Sequence, residues 1–149
     1  MIRYELLSQD NVMGVYNLET ICFQEDPWTF KMFEAEINNN MSIYIVGKDE
    51  ETGNVLSYGG MWLIYDTAEI TNIAVHPNYR REGIGNNLLN VLFKTANDRG
   101  IYNFNLEVRA SNKPAMDMYL KNGFIKCGIR KNYYQGKEDA ILMSKIAEE

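Results

Sequence analysis

Histidine, cysteine and proline are scarce in this chain, and each shortage removes a class of chemistry. The 149 residues include one His, two Cys and three Pro. One imidazole and two isolated thiols, Cys22 and Cys127, offer neither zinc-ligand spacing nor a disulfide framework. A reducing cytosol, hence a cytoplasmic location, and no metal are the expectation. There is also no apolar run of membrane-spanning length, and Met1-Ile2-Arg3-Tyr4-Glu5 lacks the charge and apolar core of a signal peptide. Nor is there a basic surplus: 15 Lys and Arg against 20 Asp and Glu give a net charge of −5. That argues against a duplex nucleic-acid binder and is compatible with a cationic partner such as a basic peptide. Without repeats, low-complexity tracts or linkers, residues 1–149 read as a single domain with a substantial core.

What is present is a regular alternation of strand and helix signals. Ile2–Leu7 reads as an edge strand, and Ser8-Gln9-Asp10 offers N-cap chemistry for a helix over roughly 10–22. Asp26-Pro27-Trp28-Thr29 breaks that helix, and Thr29 can cap a second one through Phe30, Phe33 and Ile37. Residues 42–47, 55–65 and 68–75 read as three antiparallel strands. A helix after Gly85 carries Leu88, Leu89, Leu92, Phe93 and Ala96 on one face and ends near Gly100. A strand over 103–108, a helix over 112–120 with Asn112 as cap and Pro114 in its first turn, and strands to about 131 and over 140–146 complete the pattern. The strand–helix–strand unit in the middle requires a parallel crossover, so the sheet is mixed, mostly antiparallel, with helices on both faces.

The most informative stretch is His76-Pro77-Asn78-Tyr79-Arg80-Arg81-Glu82-Gly83-Ile84-Gly85-Asn86-Asn87. A helix starting on such a loop aims unpaired N–H groups and a positive dipole end at one point, which suits a phosphate. Gly83 and Gly85 allow close approach to the main chain. It is not a nucleotide-hydrolase loop, because Asn86-Asn87 stands where Lys-Ser/Thr would be, nor a dinucleotide fingerprint, because position 88 is Leu. Arg80-x-x-Gly83-x-Gly85 resembles the acyl-coenzyme A loop of the GNAT acetyltransferase superfamily.

Two further segments carry the resemblance. Asn105-Leu106-Glu107-Val108-Arg109-Ala110-Ser111-Asn112, followed by Tyr119 and Asn122-Gly123-Phe124, is similar to the second half of that coenzyme A site. Arg130-Lys131-Asn132-Tyr133-Tyr134 and Asp26-Pro27-Trp28-Thr29 resemble one subgroup, the RimI-type ribosomal-protein-alanine N-acetyltransferases. The resemblance implies a GNAT fold, an α/β (α+β mixed) architecture, with acetyl-coenzyme A as cosubstrate. It implies direct acetyl transfer, in a ternary complex, to the N-terminal amine of an alanine on a small-subunit ribosomal protein. Ile73, Ala74 and Val75 would then present backbone groups to the pantetheine arm, one N–H serving as oxyanion donor. Arg80, Arg81, Glu82, Gly83, Ile84, Gly85 and Asn86 would wrap the pyrophosphate, Glu82 being a departure from related loops.

Several roles stay open at this level. An α-ammonium group, pKa about 7.7–8.0, must lose a proton before attacking a thioester, and Glu107 is the family's base for it, directly or through water. Alternatively Glu107 only pairs with Arg109 or orients a backbone group. Tyr119 matches the tyrosine placed near the thioester sulfur and can act as the acid; its other reading is a core residue under Phe124. Asn112 binds the cofactor, caps its helix, or does both. Trp28, Tyr133 and Tyr134 would frame the acceptor groove, while Glu25, Asp26 and the overall acidity attract a basic tail. Cys127 reads as core rather than as an acyl carrier, and His76 as a strand terminator. The alternatives are an acceptor that is a lysine side chain or polyamine, and, in another class, a non-catalytic coenzyme A sensor. Oligomeric state is not legible.

Overall fold

The computed structural model describes residues 1–134 and 136–146. In chain order it contains β1 (Ile2–Leu6), α1 (Val12–Cys22), α2 (Phe30–Ile37), β2 (Ser42–Asp49), β3 (Val55–Ile64) and β4 (Thr67–Val75), then a 3₁₀ turn (Pro77–Tyr79) and α3 (Ile84–Asn97). β5 (Asn103–Arg109), α4 (Lys113–Lys121), β6 (Ile125–Tyr134) and β7 (Glu138–Lys145) follow. The strands form one seven-stranded sheet in the order β1-β2-β3-β4-β5-β7-β6. Only β4 and β5 are parallel; every other neighbouring pair is antiparallel. The mixed sheet with helices on both faces is therefore as expected, and no helix among the described residues is long and apolar enough to cross a membrane.

Two elements begin or end differently from the sequence expectation. α1 starts at Val12, and neither Ser8 nor Asp10 caps it: Asn11 stands at the N-cap without a side-chain cap bond. Its amide is engaged elsewhere, accepting from Ser8 N–H at 2.8 Å and donating to Leu6 O at 2.9 Å and Glu5 at 2.8 Å. The polar residue fastens β1 to α1 instead. β6 runs on to Tyr134 through an irregularity between Arg130 and Tyr134. There Asn132 takes φ 52° and its N–H donates to Asp139 at 2.9 Å, so period-two alternation is lost just where the sequence reading ended the strand.

The core lies in two layers. On one face of the sheet, α3 and α4 bury Leu88, Leu89, Leu92, Met116 and Tyr119 against Ile70, Phe104, Leu106 and Val108. On the other, α1 and α2 bury Val12, Val15, Leu18 and Phe33 against Tyr44, Val46, Tyr58 and Ala74. The second layer does not extend across β5, β7 and β6, so that face stays open beside it.

One irregularity positions the site. Gly60 pairs with Asn72 but Met61 pairs with Ile70, leaving Thr71 as an extra residue in β4. The bulge changes the phase of the strand. Before it Ala68 and Ile70 face α3; after it Ile73 packs on that side while Ala74 turns to the α1 face. Pairing between β4 and β5 stops at Ile70–Leu106, although β4 continues to Val75 and β5 to Arg109. The two parallel strands diverge there, and a notch opens through the sheet.

Candidate active site

The notch is lined by backbone on one side. His76 N–H donates to Leu56 O at 2.8 Å, which directs it toward β3. Alternation then turns the N–H and C=O groups of Val75 and Ile73 to the opposite edge, facing the notch. Ala74 is different: its backbone groups point to β3 and its side chain is buried, so it offers the notch no hydrogen bond. Of the three residues assigned to a pantetheine arm, only Ile73 and Val75 present the added-strand geometry. Val75 O is already approached by Arg80 Nε at 3.1 Å and Cys22 Sγ at 3.4 Å.

At the top of the notch α3 begins without a side-chain cap. The first helical N–H to find a carbonyl is that of Asn87, donating to Gly83 O at 3.0 Å, so the N–H groups of Ile84, Gly85 and Asn86 lack an intrahelical acceptor. Converging donors at the positive end of a 14-residue helix suit a diphosphate. The two glycines serve different ends. Gly83 adopts φ 80°, ψ 5°, while a Cβ on it would meet nothing within 4 Å; its requirement is torsional. A Cβ on Gly85 would come within 3.1 Å of Met118 Sδ and 3.5 Å of Val75 Cγ2, so Gly85 lets α3 close onto α4 and β4. Arg81 and Glu82 are exposed on the loop, and Ile84 is a core residue contributing only its N–H. The Asn86 side chain accepts from Asn122 Nδ2 at 2.7 Å, tying the loop to the end of α4. Asn112 Oδ1 accepts from Ala115 N–H at 3.3 Å: its side chain caps α4, and its exposed position leaves the amide nitrogen accessible.

Glu107 and Tyr119 lie on opposite faces of the sheet. Phe104, Leu106 and Val108 of β5 are buried under α3 and α4, so Asn105, Glu107 and Arg109 face the open side. Glu107 pairs with Arg130 at 3.4 Å rather than with Arg109, which instead meets Glu138 at 3.3 Å. Tyr119, 7% exposed, lies on the α4 side with its ring edge-on to Phe124 at 5.6 Å. Burial raises its hydroxyl well above the usual phenol range, and neighbouring Tyr134 adds to this. Tyr134 connects the two faces. Burial and then the charge of Glu107 push its pKa up to about 12, against Arg109, whose guanidinium lies 4.2 Å above the ring. Tyr133 packs edge-on to Tyr134 at 5.1 Å and carries Arg130 over its ring at 4.8 Å. Trp28 stands over the α1 end of the same face, within 6.0 Å of Tyr44 and 6.4 Å of Trp62.

A family model for the Acetyltransferase (GNAT) family matches residues 12–124. The chain belongs to the GNAT acetyltransferase family. A protein of Escherichia coli (strain K12) named [ribosomal protein bS18]-alanine N-acetyltransferase is 37% identical over 121 residues, covering 79% of this chain and 80% of that protein. A Bacillus subtilis (strain 168) protein, provisionally named with the same activity, is 38% identical over 136 residues, covering 90% and 88%. The crystal structure of the ribosomal-protein-S18-alanine N-acetyltransferase from Escherichia coli superposes with a TM-score of 0.88 at 32% identity, over 100% of this chain and 97% of that one. The chain is therefore an acetyl-coenzyme A-dependent N-acyltransferase of the GNAT fold, and the notch with its uncapped helix has the shape and donors that cosubstrate requires.

Beside the notch lie buried and bridging residues that sequence reasoning did not single out. Buried Glu19 accepts from Trp28 N–H at 2.8 Å and from the Tyr58 hydroxyl, which itself accepts from Asn72 Nδ2 at 3.3 Å. Tyr44 OH meets Thr71 Oγ1 at 2.8 Å. This network fastens the loop before α2 to the bulge that opens the sheet. The signal was available: Glu19 is an acid on the apolar face of α1. Glu138 was likewise missed; it accepts from Ser111 N–H at 2.8 Å and holds the β5–α4 turn against β7.

Proposed function

We propose that this enzyme transfers the acetyl group of acetyl-coenzyme A to the α-amine of an N-terminal alanine on a ribosomal protein, acting in the cytoplasm as one catalytic domain over residues 1–149. The observation that supports the reading is the divergence of β4 and β5 after Ile70–Leu106, with Glu107 on the open face of the sheet and Tyr119 on the α4 face. The names of relatives at 37–38% identity support the acceptor. So does the net charge of −5, which favours a basic protein terminus over nucleic acid.

In this reading Glu107, ion-paired with Arg130 before the reaction, takes a proton from the acceptor ammonium, directly or through one water, and becomes neutral. The amine nitrogen attacks the thioester carbon while the N–H of Ile73 or Val75 receives the developing oxyanion. The oxyanion then collapses and the C–S bond breaks; the second nitrogen proton passes to the departing thiolate, to which the Tyr119 hydroxyl donates a hydrogen bond. Raised well above the thiol's pKa of about 8.5, the buried phenol acts chiefly as a hydrogen-bond donor rather than releasing its proton outright. Trp28, Tyr133 and Tyr134 frame the acceptor, and Arg80, Arg81, Glu82, Gly83, Gly85, Asn86 and Asn112 surround the diphosphate end.

The test is acetylation of an Ala-starting peptide, with the same peptide blocked at its α-amine but bearing a free Lys as comparison. Turnover of the free terminus alone is expected; equal turnover of both contradicts the assignment. Glu107→Gln should lower kcat about 10²–10⁴-fold while the KM for acetyl-coenzyme A stays within about twofold.

A further inference from the structure

The open face of the sheet carries a row of side chains leading away from Glu107. Register places Trp62 beside Glu69, Glu69 beside Asn105, and Asn105 beside Ser144, one row below the catalytic carboxylate. The row is joined: Asn105 Nδ2 donates to Glu69 at 3.2 Å and Ser144 Oγ to Asn105 at 2.6 Å. At its β3 end Trp62 Nε1 donates to Glu36 at 2.9 Å, and its ring lies 6.4 Å from Trp28. Beyond Trp62 the surface becomes apolar. Met41, Trp62, Ile64 and Tyr65 are all exposed and border a groove of about 670 Å³. Tyr65 is 97% exposed at the β3–β4 turn, with φ 56°, a backbone conformation that favours Gly or Asn. Nothing in the fold explains a large aromatic there. Among the described residues neither Glu36 nor Glu69 forms an ion pair.

We infer that this track is a docking surface for the acceptor polypeptide beyond its first residue, Glu69 and Glu36 receiving a basic side chain and the Met41–Ile64–Tyr65 groove an apolar one. The inference rests on the N-terminal reading above and specifies which sequences it favours. Two arguments select this occupant. The track is continuous with the acceptor entrance through the Trp28–Trp62 contact, and its two carboxylates without ion pairs complement a cation next to exposed apolar surface. Distance agrees. Two strand spacings of about 4.8 Å and one two-residue step of about 6.6 Å put Trp62 about 12 Å from Glu107, the reach of about four extended residues. The third to fifth residues of the acceptor are thus the ones read.

Steady-state kinetics with three Ala-starting acceptors test this: Ala-Gly-Gly, a hexapeptide with Arg and Leu among its third to fifth residues, and its Arg-to-Gln counterpart. The Arg hexapeptide is expected to have a KM about tenfold below that of its Gln counterpart, which keeps the apolar contact and lies below the tripeptide. Glu69→Gln should erase the difference between the Arg and Gln peptides. The double change Ile64→Ser and Tyr65→Ser, both exposed positions, should raise the KM of the hexapeptides and leave tripeptide turnover unchanged. Equal KM values for all three peptides, or variants that slow the tripeptide in proportion, overturn the inference while the N-terminal reading stands. Turnover of no peptide, with simple amines accepted, overturns both.

Discussion

Tyr119 and Glu19 are both buried ionisable groups, and burial moves both pKa values upward with opposite consequences. For Tyr119 the uncharged phenol is the useful form, and burial preserves it. The pH profile of kcat/KM should therefore rise as the acceptor ammonium loses its proton, near 7.7–8.0 in peptides, and remain flat to about pH 10. A fall between pH 8.5 and 10 that disappears in Tyr119→Phe would show the phenol losing its proton in the working range. Tyr119→Phe itself should lower kcat about 10–100-fold. For Glu19, 2% exposed, desolvation raises the carboxyl above its ordinary value despite donation from Tyr58 and Trp28. A folded-state pKa above the unfolded one means stability that is fully present below the unfolded value and lost as pH rises through the folded value. Glu19→Gln removes the titration and one hydrogen bond. The stability advantage of the native protein over the variant, measured by urea unfolding, should shrink between pH 4 and pH 8; an advantage growing with pH would reverse the assignment.

At the scale of elements, the glycines divide into those needed for torsion and those needed for space. A Cβ on Gly60 would overlap the Tyr44 ring, which cannot retreat freely because its hydroxyl is bonded to Thr71 in the bulge. Gly60→Ala should cost about 1–3 kcal/mol and lower kcat, since the shift is transmitted to the notch. Gly83→Ala meets no atom and should cost about 1–2 kcal/mol through its backbone alone, with a rise in the KM for acetyl-coenzyme A. Denaturant unfolding paired with kinetics separates the two. The same distinction explains what could be read in advance. The capped helices, the glycine loop and the mixed sheet rest on local patterns, and Thr29 and Asn112 cap as their types demand. The bulge was legible only as a phase change, Ala68 and Ile70 giving way to Ile73 and Val75, which is easily read as one continuous apolar strand. The Glu107–Arg130 pair was not legible, because it spans β7 and depends on the irregular course of β6. Ala74 departs from its family position, because strand alternation turns its backbone groups to β3, while Asn86 offers the loop its N–H with its side chain engaged by Asn122.

Across the whole molecule, the distribution of compensated and uncompensated charge predicts how salt acts on each substrate. On the acceptor face Glu107 and Arg109 are ion-paired with Arg130 and Glu138, whereas Glu36 and Glu69 form no ion pair among the described residues of a chain with net charge −5. A basic acceptor approaching that face is drawn in over a distance comparable to the Debye length, about 10 Å at 0.1 M salt and several times longer at 0.01 M. An acceptor with Gln in place of Arg lacks that attraction at Glu36 and Glu69. Raising ionic strength from about 20 to 200 mM should therefore reduce kcat/KM for an Arg-bearing peptide about 3–10-fold, through KM, and leave its Gln counterpart within about twofold. Acetyl-coenzyme A, with its diphosphate at the proposed backbone N–H groups close to the helix end, should change less than the basic peptide. A salt response equal for both peptides would place the attraction at the shared N-terminal ammonium, and the acidic face would then have no part in choosing the acceptor.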